Sequence, residues 1–308
     1  MTAAAPKISV VEPAMTMQRI KDFLRGFSIE ATRPTAADLD ELHLVLPSQA
    51  PVYLSAIPTR PLSDLAAYAV AVHGAGFAPV PHIAARNIPS AGALDDLLGQ
   101  LTEKARVRRL LAVAGDSDRT QGPYANAIEV IESGLLQKHG IAEVGIAGYP
   151  DGHPRIASEA LDRALAAKVE AAEQTGLQPH IVTQFCFSAE RIVSWILRLR
   201  DLGIEQPVRI GMAGPTNLAS LMRYAKRCGV TASAQGLTRQ AGLLKHLFGA
   251  SAPDDIIRGI ADAGERLGDI SAHFFSFGGI GATARWAAAA TAGRFVLDRA
   301  DGFQVEPP

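Results

Sequence analysis

Glu30, His82, Asp116, His153 and Gln184 each stand at or just beyond the end of a short apolar run. A plain core strand has no need of such groups. Glu30 follows Phe27-Ser28-Ile29. A carboxyl held at an apolar mouth has its charged form disfavoured and can donate a proton near neutral pH. The competing readings are a solvated strand-end Glu or a partner of Arg33. Asp116 follows Ala114-Gly115, where glycine lets the backbone pass close to a ligand. An Asx turn or the cap of the next helix would explain it equally well.

Gln184 and Thr183 interrupt the apolar run Ile-Val-Thr-Gln-Phe-Cys-Phe. Burying an amide without a partner is costly, so Gln184 must be hydrogen-bonded. Its partner is either a ligand with paired donors and acceptors or a neighbouring backbone. The eight histidines, His82 and His153 among them, show no H-x-H or H-E-x-x-H spacing and no nearby cysteine pair, so no metal site is expected. Tyr149 and Phe187 suit a core or the walls of a planar ligand site. Lys168, late in a helical segment, reads by itself as a solvated charge.

The elements that must position these groups are strand-like runs near 27–30, 51–56, 78–83, 109–114, 142–148, 180–186, 207–212 and 272–277. They are short, rich in β-branched or aromatic residues, and bounded by Gly, Pro or polar residues. Helical spacing falls between them, over 61–75, 91–105, 124–138, 157–175 and 189–202. Ser188 is placed to cap a helix, and Gly176 and Gly203 to stop two. The stretch from Ala213 to Ser271 is too long for one helix and divides into 216–226, 239–248 and 253–267. Strand then helix, eight times, predicts an α/β fold: a (β/α)8 TIM barrel with extra helices in the seventh crossover. An open doubly wound sheet is the alternative, but Glu30-Ala-Thr-Arg-Pro34 after the first strand carries no G-x-G-x-x-G. One barrel domain over 1–308 is expected, with residues 1–25 an N-terminal extension.

With 48% hydrophobic residues and a net charge of −1, the chain can bury one large core and shows no basic excess for nucleic acid. Two cysteines, Cys186 and Cys228, make no disulfide framework, and Cys186 reads as a buried thiol. The start Met-Thr-Ala-Ala-Ala-Pro-Lys lacks the pattern of a signal peptide, and the Ala-rich stretch from Trp286 to Leu297 is too short to span a bilayer. A cytoplasmic protein is expected.

Taken in order, these motifs resemble the methylenetetrahydrofolate reductase family, flavin-dependent barrel enzymes of one-carbon metabolism and methionine biosynthesis. The resemblance runs over roughly 27 to 295. Its most specific pieces are Gly148-Tyr-Pro-Asp-Gly-His-Pro154, Val182-Thr-Gln-Phe-Cys-Phe187 and His273-Phe-Phe-Ser-Phe277, joined by Pro81-His82 and Gly115-Asp116. It implies that Glu30 is the general acid opening the folate imidazolidine ring. Asp116 is then the carboxylate near flavin and pterin, Gln184 the amide that reads the pterin, and Phe277 a ring packed against folate or nicotinamide. It further implies FAD contacts from His82, Gly115, Asp116, Tyr124, Ala125, Tyr149, His153, Asp162 and Lys168.

The chain departs from the family in four places. Ala114 replaces the arginine of Arg-Gly-Asp, and Tyr53-Leu54-Ser55 replaces Thr-Tyr-Gly. The spacing from His153 to Lys168 is one residue shorter. Gly278-Gly279 stands where many members carry Asn-Arg. The implied activity interconverts 5,10-methylenetetrahydrofolate and 5-methyltetrahydrofolate, with NADH or NADPH as co-substrate through FAD. Tetrahydrofolate derivatives are the implied partners, nucleic acid and membrane are not, and a homo-oligomer is allowed. Two alternatives stay open: direct hydride transfer from NAD(P)H without flavin, and a folate-binding or regulatory barrel without turnover.

Overall fold

The computed structural model describes residues 13–230, 252–298 and 302–306. Eight parallel strands close into a barrel in sequence order: β1 (Ser28–Ala31), β2 (Pro51–Leu54), β3 (Ala78–Ala84), β4 (Arg109–Val113), β5 (Glu143–Gly148), β6 (Gln178–Thr183), β7 (Val208–Ala213) and β8 (Ile270–Phe275). Closure is made by β1 against β8, where Ser28 pairs with His273 and Glu30 with Phe275. All eight strands fall where the sequence placed them. Several are a residue or two shorter than expected, and β6, shifted toward its start, ends at Thr183, so Gln184 begins the loop.

Helices alternate with the strands: α2 (Ala36–His43), α3 (Leu62–Gly74), α4 (Ala91–Ala105), α5 (Ala127–Ile131), α6 (Leu135–Lys138), α7 (Ser158–Gln174) and α8 (Ala189–Asp201). In the seventh crossover lie α9 (Leu218–Cys228) and α10 (Asp254–Ala263), and α11 (Ile280–Thr291) follows β8. The helix expected over 239–248 lies outside the described residues. The single helix expected over 124–138 is two short ones. Asn126 caps α5 only from 127 onward, and Gly134, at φ +73°, takes the left-handed conformation that breaks the run.

Side-chain alternation along each strand splits the interior into two layers. Outward residues such as Ile29, Leu54, Ile83, Ile146 and Phe274 join the helices in one continuous apolar cluster. Inward residues form a much smaller one of Tyr53, Val80, Leu111 and Val182. Each buried aliphatic side chain contributes about 1.5–3 kcal/mol, so the outer layer carries most of the stability. That leaves room inside for polar groups: Ser28, His180, Thr183 and His273 are all buried. Before the first strand, α1 (Pro13–Leu24) buries Ile20 and Leu24 completely and packs on α10, α11 and β8.

The loops at the C-terminal ends of the strands are pinned by helix caps. Thr35 and Asp38 form a reciprocal capping box on α2, while Ser90, Asn126, Ser188 and Asn217 cap α4, α5, α8 and α9. Each such cap is worth about 1 kcal/mol. At the chain's other end, β9 (Phe295–Leu297) and β10 (Phe303–Val305) make an antiparallel hairpin, with Phe303 against Trp286 and Phe295.

Candidate active site

Because Ser28 and Glu30 lie two apart on β1, both face the barrel interior. The Glu30 carboxylate is 13% exposed. Ser55, just past β2, donates its hydroxyl to Glu30 Oε1 at 2.6 Å. Oε2 lies 3.4 Å from His273 Nε2 and 3.7 Å from His82 Nε2. His273 Nδ1 in turn sits 2.9 Å from Ser28 Oγ. Ser276 donates to the Glu30 backbone carbonyl, tying the end of β8 to that of β1. Tyr53 packs edge-on against His82 and His273 and shares a 3.0 Å hydrogen bond with His180 below.

Four strands therefore converge on one carboxylate, and its proton affinity is opposite to expectation. Burial alone pushes the Glu30 carboxyl up. The His82 charge, the hydrogen bond and charge of His273, and the Ser55 hydroxyl together outweigh burial and hold the carboxyl below its ordinary value. The expected disfavoured charge thus gives way to an ionised resting carboxylate. Burial lowers His82 as well, only partly offset by Glu30. Its Nε2 is buried and makes no hydrogen bond.

Asp116 sits on the exposed loop after β4. Gly115, at φ +94°, makes the turn, and a Cβ there would lie 3.1 Å from that of Ala84. The sequence lacks an arginine at 114, but Arg86 serves this loop from the end of β3. Its backbone N–H donates to Ala114 O and its carbonyl accepts from Gln121 N–H. Its guanidinium donates to Ala125 O at 2.9 Å and Ser117 O at 3.1 Å. Ala125 is otherwise held by a backbone hydrogen bond to Glu129, while Tyr124 is buried in the outer core. Tyr149 lies edge-on to His153, its hydroxyl pushed up by burial and by the Asp116 carboxylate. Burial and Arg155 lower His153.

On the opposite wall, Thr183 accepts from Gly211 N–H, which satisfies its buried hydroxyl oxygen. Gln184 Oε1 accepts from Phe185 N–H at 3.0 Å, the backbone alternative. Phe277 belongs to an aromatic cluster with Phe185, Phe187, Phe275 and Tyr224. Tyr224 reaches it from α9. The same helix ends at Cys228, whose thiol is pushed up to about 11 by burial and by the carboxylates of both Asp116 and Glu30. The charges of both acids are thus felt at the C-terminal end of α9.

Lys168 and Asp162 on α7 behave differently. Burial alone lowers Lys168 to about 8, and among the described residues no carboxylate pairs with it. Asp162 is bound by Arg198 of α8 at 3.2 Å. Among the described residues no group of three or more His, Cys, Asp or Glu could hold a metal ion, and no helix is long and apolar enough to cross a membrane.

Sequence reasoning had assigned no role to Ser28, Ser55, Arg86, Tyr224, Cys228 or His273. The i, i+2 pair Ser28 and Glu30 was a usable signal. Their pairing with His273 depends on barrel closure.

Fold and site together define a (β/α)8 barrel with a buried acid and imidazole cluster at its strand ends. The methylenetetrahydrofolate reductase family model matches residues 58–243, more than half of the chain, and the chain belongs to that family. Methylenetetrahydrofolate reductase 2 of Saccharomyces cerevisiae is 25% identical over 172 residues, 53% of this chain and 28% of that protein. A probable methylenetetrahydrofolate reductase (NADPH) of Caenorhabditis elegans is 29% identical over 125 residues, 39% of this chain and 18% of that protein. The matched region thus spans less than a third of these relatives. Among solved structures, an uncharacterized protein from Clostridium thermocellum that binds two copies of 5-methyl-5,6,7,8-tetrahydrofolic acid shares the fold. Its TM-score is 0.57 at 10% identity, over 89% of this chain and 96% of that one.

Proposed function

We propose that this protein is a reductase interconverting 5,10-methylenetetrahydrofolate and 5-methyltetrahydrofolate, with electrons drawn from or returned to NAD(P)H through FAD. The observation that carries this reading is the Glu30 carboxylate, gripped by Ser55, His82 and His273 at the strand ends. Reduction needs a proton on N10. The bond from N10 to the bridging carbon then breaks, its electron pair stays on N10, and the carbon remains on N5 as an iminium. A hydride on that carbon completes the methyl group. Glu30 delivers the proton, and in the reverse direction takes it back as the ring closes.

The resting carboxylate is ionised, so it is ready to act as the base of the oxidative direction. For reduction it must first take up a proton. Folate covering the mouth would displace the remaining water and favour the neutral carboxyl. Asp116, on the loop after β4, is in reach of the charge environment of Tyr149 and Cys228, and the Gln184 amide nitrogen has no hydrogen-bond partner among the described residues, leaving its two N–H donors for a pterin edge.

The residues present fit FAD. The orphaned His82 Nε2 and Asn87 Oδ1 border a small open cleft between the loops after β2 and β3, where a ligand's polar groups could satisfy them. Lys168 offers a half-buried cation, with no carboxylate partner among the described residues, suited to a diphosphate. His82, Gly115, Asp116, Tyr124, Ala125, Tyr149, His153 and Lys168 would hold the cofactor. Asp162 would join them only by giving up Arg198. When bound, FAD supplies the two-electron carrier between NAD(P)H and the one-carbon unit. The missing arginine and the altered second strand are what favour the flavin-free alternative, and Arg86 at the same loop weakens the first of these.

The absorption spectrum of the purified protein, read beside folate turnover, tests the proposal. Yellow protein, or protein that yellows with added FAD and then reduces methylenetetrahydrofolate, supports it. Colourless protein that works at full rate without flavin would establish direct transfer. Folded protein that binds folate but never turns it over would be a binding barrel.

A further inference from the structure

Glu30, His273 and Ser28 form a chain of polar contacts that runs from the mouth of the barrel into its buried interior. His273 Nε2 faces Glu30 Oε2 at 3.4 Å and its Nδ1 faces Ser28 Oγ at 2.9 Å. Ser28 and His273 are both 0% exposed and are register partners across the closing β1–β8 seam. The imidazole has no contact with bulk solvent, so its two polar neighbours govern which nitrogen carries the proton.

We propose that His273 and Ser28 are positioning residues that set the proton affinity of Glu30, the serine hydroxyl choosing the tautomer that the imidazole presents to the carboxylate. This deepens the reading of Glu30 as the group that handles the folate proton, and rests on it for its catalytic meaning. When Ser28 donates to Nδ1, the Nε2–H points at Glu30 and favours the ionised carboxylate. When the Ser28 hydroxyl turns and accepts from Nδ1–H, Nε2 offers a lone pair that a protonated Glu30 can fill. A hydroxyl serves either way, because it is both donor and acceptor. Glu30 and the two buried groups behind it therefore accommodate both protonation states without moving a heavy atom. A leucine in this place would pack but could do neither.

The other groups facing Glu30 are Ser55 and Tyr53 from β2 and its following loop, His82 from β3, Ser276 after β8 and Cys228 at the end of α9. Of these, only Ser55 donates to a carboxylate oxygen. His82 is too distant for a hydrogen bond, so His273 is the imidazole placed to discriminate between the two states.

The test is an infrared pH titration of the protonated-carboxyl stretch in the intact protein, with Glu30→Gln identifying the band. His273→Leu should raise the midpoint by about one pH unit or more, since burial is then opposed by fewer groups. His273→Gln keeps an N–H donor and should raise it less. Ser28→Ala should move it in the same direction while leaving the imidazole in place. If the leucine variant does not fold, the glutamine and alanine variants decide. Midpoints that stay at the wild-type value in folded Ser28→Ala and His273→Gln protein would overturn the proposal. The folate half-reaction of Glu30→Gln is a separate readout. A normal rate there would remove Glu30 from folate chemistry, while the infrared shifts would still show that His273 and Ser28 govern its proton.

Discussion

Tyr224 lies face to face with Phe277, their ring centroids 4.0 Å apart and their planes 10° from parallel. The two come from α9 and from the loop after β8, so this stack pins the seventh crossover to the mouth of the barrel. Arg223 sits 5.5 Å from the Tyr224 ring. A stacked pair contributes about 0.5–1.5 kcal/mol beyond buried area. If the proposed site is right, Tyr224→Ala should therefore loosen α9 and raise the KM for folate by about two- to tenfold, while FAD affinity, proposed to depend on the other wall, changes little. Equal losses of folate and flavin binding would mean that the helix supports the whole site rather than the folate side.

Glu30→Gln keeps the shape of the side chain and an oxygen that can still accept from Ser55, but it cannot carry a proton. General acid–base catalysis is worth about 10²–10⁴-fold. The variant should fold, bind flavin and accept electrons from NAD(P)H at close to the normal rate. Its folate half-reaction in rapid-mixing experiments should fall by a factor in that range, in both directions. Near-normal folate reduction would exclude Glu30 from the mechanism.

Gln184→Leu removes the amide proposed to read the pterin. Leaving a buried hydrogen-bonding group of the ligand unpaired costs about 1–3 kcal/mol. Folate affinity should weaken accordingly, with flavin reduction by NAD(P)H unaffected. The structure adds a competing cost, because Gln184 Oε1 also accepts from Phe185 N–H. Damage to both half-reactions, with a lowered melting temperature, would assign Gln184 to that backbone contact alone.

Lys168 makes a prediction in pH. Burial lowers its folded value to about 8 from 10.5. Between these limits the unfolded chain binds more protons than the folded one, so the Lys168 contribution makes stability rise as pH increases through that window. Lys168→Met should remove this rise and raise the melting temperature at neutral pH. It should also weaken FAD binding, because the diphosphate loses its cation. A variant whose stability profile runs parallel to wild type would show that Lys168 is solvated, as its sequence position by itself suggested.

The strands and most helix limits were legible in the sequence because they depend on local chemistry. Runs such as Leu110-Leu-Ala-Val113 between polar and glycine boundaries, the cap Ser188, and the stops Gly176 and Gly203 act within a few residues of themselves. Glu30, Asp116 and Gln184 could be singled out for the same reason, as polar groups beside apolar runs. Their surroundings could not. Ser55 and His82 approach Glu30 from separate strands, and His273 from the far end of the chain, 243 residues away. Only closure of β1 on β8 brings the last of these within reach. That closure reversed the expected state of Glu30: burial by itself disfavours the charge, but two imidazoles and a hydroxyl delivered by other strands outweigh it. The sequence determined which residues end the strands. The tertiary structure decided their proton affinities, because those depend on distances between groups that the chain keeps far apart until the barrel closes.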